Sequence, residues 1–368
     1  MKFTKLIKPI VPYGLVMWSR EKKKRKATFW ELYEDFLEKD THIDLKDNSP
    51  FKQLVSIQGS GHSGSSAVMD VLREYDNTLS LGEVDLINSI ATPDEYSMEV
   101  DFLRLAGGML EIEKYIGSNN HFHNDALLQR FMLMAQNTPF YRFSIEGRNI
   151  LFEFFRRISY SLGGVMQQSY YNIHLPQADV KHPQIFFLRD MSLEEYRNLC
   201  RRCINSLFDS LYQKKPKEIL VVDQFFADGN YTDFNRNYEY CPNLKTIYVW
   251  RDPRDVFKEA KWFGAEWLST KNAEVFVAYF KHVAAGRTIT DTKDYLSVRF
   301  EDLCLHYEET VARIENYLGL KPEQHVAPKT CFEPNISGRS VRLWQKYPKY
   351  KEEYERIAQA LPEYLYND

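Results

Sequence analysis

Three glycines and four serines crowd the eight residues Gly59-Ser60-Gly61-His62-Ser63-Gly64-Ser65-Ser66. A backbone this permissive can fold its N–H groups round an oxyanion, and a helix starting just beyond it adds roughly half a positive charge. Read as G-x-G-x-x-G, the segment is a dinucleotide fingerprint, with Glu83 near the distance expected of a ribose-binding acid. Read as G-x-x-x-x-G-K-[ST], it is a nucleotide P-loop in which Ser65 replaces the lysine. Ser66 and Asp223 would then serve magnesium and ATP in a kinase. A plain strand-to-helix turn is the remaining alternative. The loop alone specifies an anion site and no more.

A second cluster lies in TIYVWRDPRDVFKEA (246–260), where a buried strand runs straight into Arg-Asp-Pro-Arg-Asp. At a strand end, Arg251 can offer a bidentate fork to a phosphate, Pro253 suits a first helical turn, and Asp252 or Asp255 can cap that helix. With the glycine loop, this segment resembles the donor-binding motifs of P-loop sulfotransferases that use 3′-phosphoadenosine 5′-phosphosulfate (PAPS). YLSVRFEDLC (295–304) resembles the family's strand ending in Arg-x-Glu-Asp-Leu. NISGRSVRLWQKY (335–347) resembles the basic C-terminal segment that closes over the donor's 3′-phosphate.

The resemblance implies that Gly61, His62, Ser63, Gly64, Ser65 and Ser66 hold the 5′-phosphosulfate and that Arg251 and Arg339 hold the 3′-phosphate. Sulfuryl transfer to an acceptor hydroxyl is an in-line displacement with a loose transition state and calls for no metal, so positioning and charge do the work. The product nucleotide is 3′,5′-adenosine bisphosphate (PAP). His62 stands where the family carries a cation for the leaving oxygen. Glu83, following the second strand in LSLGEVDL, is the expected general base, as in carbohydrate sulfotransferases, with Asp85 in reserve. The expected acceptor is a saccharide or glycan hydroxyl, in the setting of polysaccharide biosynthesis. Two departures stand out: Glu259 takes the place of the family's phosphate-binding serine, and Gln224 that of a lysine after the third strand. Together with His62 they keep a degenerate nucleotide-binding or scaffold protein open as an alternative.

These residues need a frame to position them. KQLVSIQGSG (52–61), NTLSL (77–81), EILVVD (218–223), LKTIYVW (244–250) and YLSVRF (295–300) read as strands apolar enough to be buried on both faces. Helical patterns follow in SSAVMDVLREY, DVFKEAKWF, AEVFVAYFKHVAAG and LCLHYEETVARIENYLG. The alternation predicts a three-layer α/β fold with a parallel sheet and its ligand at the carboxyl ends of the strands. Residues 82–215, including NDALLQRFMLMAQ and RNILFEFFRRISYSL, read as a large helical insertion on the acceptor side. Its aromatics Phe122, Phe140, Tyr141, Phe154, Phe155, Tyr170 and Tyr171 are candidates for sugar stacking or for core. Residues 1–50 read as a basic arm with a lead-in helix, and 51–368 as the α/β domain.

Composition narrows the partners. The 368 residues are 44% hydrophobic and 27% charged, as in globular proteins, and the net charge of −3 gives no general pull toward nucleic acid. Residues 1–26 hold nine Lys/Arg against Glu21 alone, a local +8 that leaves −11 for the rest. The apolar PIVPYGLVMWS within that arm is too short to span a bilayer, yet between lysines it suits the surface of an anionic membrane. Five cysteines, an odd number, argue against a disulfide framework and for a reducing, cytoplasmic compartment. Cys200-x-x-Cys203 lies in a helical pattern without a second pair, and His121 and His123 lack a third ligand, so no metal site is expected.

Overall fold

The computed structural model describes residues 29–81, 108–117, 127–132, 135–136, 140–141, 144–162, 185–213, 216–223, 240–265, 268–285, 287, 289–293 and 295–367. The chain divides into two compact units, one formed by 1–42 with 176–182 and the other by 43–175 with 183–368. In the first, helix α1 (Phe29–Glu38) stacks Phe29 on Tyr33 and Tyr33 on Phe36 along one face.

The second unit is built on a five-stranded sheet of β1 (Gln53–Gly59), β2 (Thr78–Leu81), β5 (Ile219–Asp223), β6 (Leu244–Trp250) and β7 (Tyr295–Arg299). Their order is β2-β5-β1-β6-β7, parallel throughout. All five match the strands expected from the sequence. Along β6 the side chains alternate between two cores, as a pleated strand must. Ile247 and Val249 join Val68 and Leu72 of helix α2 (Ser65–Arg73) and Ile314 and Leu318 of α8 (Tyr307–Leu318). Tyr248 and Trp250 join Phe257 of α5 (Pro253–Phe263), Phe276 of α6 (Ala273–Ala284) and Ile357 of α9 (Lys351–Ala360). Helices therefore cover both faces, which is why apolar residues predominate on both faces of the central strands.

Two expectations are corrected. RNILFEFFRRISYSL is not one helix: α3 (Ile145–Ile158) ends where Ser159 turns extended, and β3 (Ser159–Leu162) pairs antiparallel with β4 (Ile185–Leu188). The alternating Ser-Tyr-Ser-Leu suits a short strand better than a last helical turn. The insertion is thus helical with a small two-stranded sheet, and α3 packs on α4 (Leu193–Tyr212). Likewise, LCLHYEETVARIENYLG breaks at His306 into α7 (Phe300–Leu305) and α8, letting both Cys304 and Tyr307 face the core.

Register fixes the edge that matters. Gly59 pairs with Val249, Ile57 with Asp223, and Trp250 with Arg299. The ends of β1, β5, β6 and β7 thus lie side by side, placing the glycine loop beside the Arg-Asp-Pro-Arg-Asp turn and the start of α7.

Candidate active site

The loop is shaped by close approaches that only small residues permit. A Cβ on Gly59 would lie 3.0 Å from the carbonyl oxygen of Val249, and one on Gly64, at φ +88°, would collide with the Phe300 ring. The Ser63 N–H donates to the Ser60 carbonyl at 2.9 Å and closes the turn, with His62 at φ +60°. Helix α2 then starts at Ser65 from Gly64, and no side chain caps it. The first N–H groups of a helix have no intrahelical acceptor, so this end points uncompensated donors and a positive dipole into the loop. The Ser63 hydroxyl is buried there without a partner. Gly61, His62, Ser63, Gly64, Ser65 and Ser66 thus lie together in one turn at the uncapped start of α2.

Arg251 leaves the end of β6 almost wholly buried, its side chain 3% exposed. Its Nη1 donates to the His62 carbonyl at 2.9 Å and to the Glu259 carboxylate, and its Nη2 donates to the Ser340 carbonyl at 2.8 Å. The guanidinium lies 4.7 Å over the Phe300 ring. Arg251 therefore ties the glycine loop to α5 and to the C-terminal segment. The His62 imidazole stacks on Phe263 at 5.5 Å, with Nδ1 3.9 Å from Glu259 Oε2.

Pro253 begins α5, and Asp252, not Asp255, caps it, accepting from the Arg254 N–H at 2.9 Å and pairing with the Arg254 guanidinium. Asp252 in turn donates its own N–H to Glu301 Oε1 at 2.6 Å, so the Arg-x-Glu-Asp-Leu segment braces the Arg-Asp-Pro-Arg-Asp turn. Asp255 points to the C-terminal segment and accepts the N–H groups of Arg342 at 2.7 Å and Trp344 at 2.9 Å. Burial pushes its carboxyl up to about 7, against the opposing pull of the Trp344 N–H and Arg251. Arg339, exposed, occupies a tight turn (Gly338–Ser340) one residue before the carbonyl that holds Arg251.

Some neighbours carry no motif and escape a reading of spacing alone. Lys258, buried, stacks its ammonium between Trp262 at 4.6 Å and Tyr347 at 3.8 Å, and burial lowers its pKa. Its i, i+4 spacing from Trp262 was the available signal; Tyr347 and Phe300 are brought in only by tertiary structure. Glu83, Asp85 and Gln224 lie outside the described residues, as do the arm 1–26, Phe122, His121, His123, Tyr170 and Tyr171. Phe140, Phe154 and Phe155 are core, whereas Tyr141 is half-buried against Phe152. Cys200 and Cys203 are buried on α4, and burial raises both thiols; among the described residues no group of His, Cys, Asp and Glu could hold a metal. Nor, among those residues, is any helix long and apolar enough to cross a membrane.

Comparison with known proteins bears on the same residues. No curated protein matches the chain. Solved structures similar to it include the sulfotransferase domain of the Synechococcus PCC 7002 olefin synthase (11% identity, 89% of this chain and 100% of that one, TM-score 0.41). They also include the sulfotransferase domain of the curacin biosynthetic pathway (12%, 86% and 99%, TM-score 0.39). Sulfotransferase STF9 of Mycobacterium avium is a third (12%, 90% and 80%, TM-score 0.39). The family model described as "Sulfotransferase family" matches residues 55–324, a span that takes in both the glycine loop and the turn at Arg251. The chain belongs to the sulfotransferase family and is a sulfotransferase enzyme.

Proposed function

We propose that this enzyme transfers the sulfuryl group of PAPS to a hydroxyl of a saccharide. The observation that carries the donor half is the uncapped start of α2 facing the buried, unpartnered Ser63 hydroxyl, a donor set suited to a 5′-phosphosulfate. His62, in the same turn, would stabilise the leaving phosphate oxygen, and Arg251, with exposed Arg339 next to its Ser340 anchor, would meet the 3′-phosphate. When bound, the donor supplies the transferable group; the protein orients it and takes the acceptor's proton.

For that proton we assign Glu83, two residues past Leu81 at the end of β2. β2 lies two strands from β1 in the sheet, with β5 between them. The saccharide acceptor rests on the resemblance of the Glu83 segment to carbohydrate enzymes. The basic arm, residues 1–26, would hold the enzyme at an anionic membrane surface in the cytoplasm.

The test compares PAP, ATP and NAD by thermal shift, followed by sulfuryl transfer from PAPS to a saccharide panel by the wild type and Glu83→Gln. The expected result is stabilisation by PAP above the others and a loss of at least about a hundredfold in turnover for E83Q with PAP binding retained. Preferential stabilisation by ATP or NAD overturns the donor. Near-normal turnover in E83Q overturns the base.

A further inference from the structure

The cation expected to read the donor's 3′-phosphate is already engaged. Arg251 gives one Nη to the Glu259 carboxylate and the His62 carbonyl, and the other to the Ser340 carbonyl, while its Nε is buried without a partner. The two carbonyls belong to the backbone of the glycine loop and of the C-terminal segment. The carboxylate is different: Glu259 lies on α5, its side chain is 20% exposed, and it carries the same charge sign as a phosphate.

We propose that Glu259 is a built-in competitor of the donor, seated on Arg251 until the 3′-phosphate displaces it, and thus the residue that sets how strongly this enzyme distinguishes a 3′-phosphorylated nucleotide from one without that group. This rests on the donor reading above. A phosphate monoester carries nearly two negative charges and three acceptor oxygens, against one charge and two oxygens for the carboxylate, so exchange on a single guanidinium favours the phosphate but surrenders the ion pair already made. Displaced, the carboxylate keeps the His62 imidazole as a polar neighbour, its Nδ1 3.9 Å away. Lys258, buried next to it in the chain, also feels the Glu259 charge.

Calorimetric titration of PAP and AMP into the wild type, Glu259→Gln and Glu259→Asp separates the possibilities. E259Q keeps the side-chain shape without the charge; E259D keeps the charge but is one methylene too short to seat on Arg251. Competition predicts that E259Q binds PAP about tenfold more tightly or better, with AMP within about twofold of wild type, and that E259D gains most of the same increase. An unchanged PAP-to-AMP ratio in E259Q overturns the proposal while leaving AMP binding in the glycine loop, and the donor reading, intact. A gain in E259Q with none in E259D overturns it as well, because charge repulsion alone would then suffice. If neither nucleotide binds any of the three proteins, the donor reading itself fails and takes this proposal with it.

Discussion

The two ends of helix α2 treat negative charge in opposite ways. At its start no side chain caps the helix, and the Ser63 hydroxyl is left unpartnered. At its end the Glu74 carboxylate, wholly buried, accepts the N–H groups of Lys329 at 3.0 Å, Cys331 at 2.9 Å and Phe332 at 3.0 Å, and contacts His325 Nε2 at 2.7 Å. One end has its anion covalently attached and the donors saturated; the other has donors and no anion of its own. A filled nest anchors a loop, here 325–332, to the core, whereas an open one has affinity to offer a ligand.

The strongest way to break that contrast is to empty the filled end. Glu74→Ala leaves three N–H groups, one buried and two part-buried, without an acceptor and should cost about 3–5 kcal/mol in chemical denaturation, while protein that remains folded keeps its AMP affinity. Burial alone would raise the Glu74 carboxyl, but the hydrogen bonds from Phe332, His325, Cys331 and Lys329 outweigh it and hold it below its usual value. Its contribution is therefore complete above pH 4.5 and is lost as pH falls below that.

Asp255 sharpens the comparison, since with two N–H donors instead of four partners burial wins and the carboxyl rises to about 7. The sign reverses: the folded state binds the proton more tightly than the unfolded one, so stability is greatest below the ordinary value of 3.8 and declines as pH rises to about 7. The decline is on the order of 2–4 kcal/mol, and Asp255→Asn should flatten the denaturation-versus-pH curve across that window. The smallest effect belongs to the open end. Ser63→Ala removes a hydroxyl that bonds nothing, so the melting temperature should hold or rise slightly, while PAP and AMP affinity both drop about five- to tenfold. An equal loss of stability and affinity would mean that Ser63 is structural, and the two ends of α2 would no longer differ in kind.

The frame was legible because its signals are local. Each strand of the parallel sheet is mainly apolar and short, and Gly59, Gly64, Pro253 and Asp252 do locally what their chemistry suits them to do. What escaped were choices made between distant segments. Nothing near Asp255 in sequence says that it will hold residues 342 and 344 rather than cap its own helix. Glu259 could be flagged as a like charge at a phosphate site, but its pairing with Arg251 needs the side-chain geometry of a folded helix. The β3–β4 pair stayed hidden because four-residue strands are too short to show a period, and Tyr160 and Phe187, which stack across it, lie 27 positions apart.

The central place of β1 sets a timetable for the ribosome. β1 ends at residue 59, yet its neighbours in the sheet are β5, from residue 219, and β6, from residue 244. At the usual 5–20 residues per second, β1 waits on the order of ten seconds or more for either edge to be covered. The glycine loop waits longer, since Gly64 packs on Phe300 and Arg251 is anchored by Ser340. A ligand held by this loop can thus reward folding only after residue 340 has emerged.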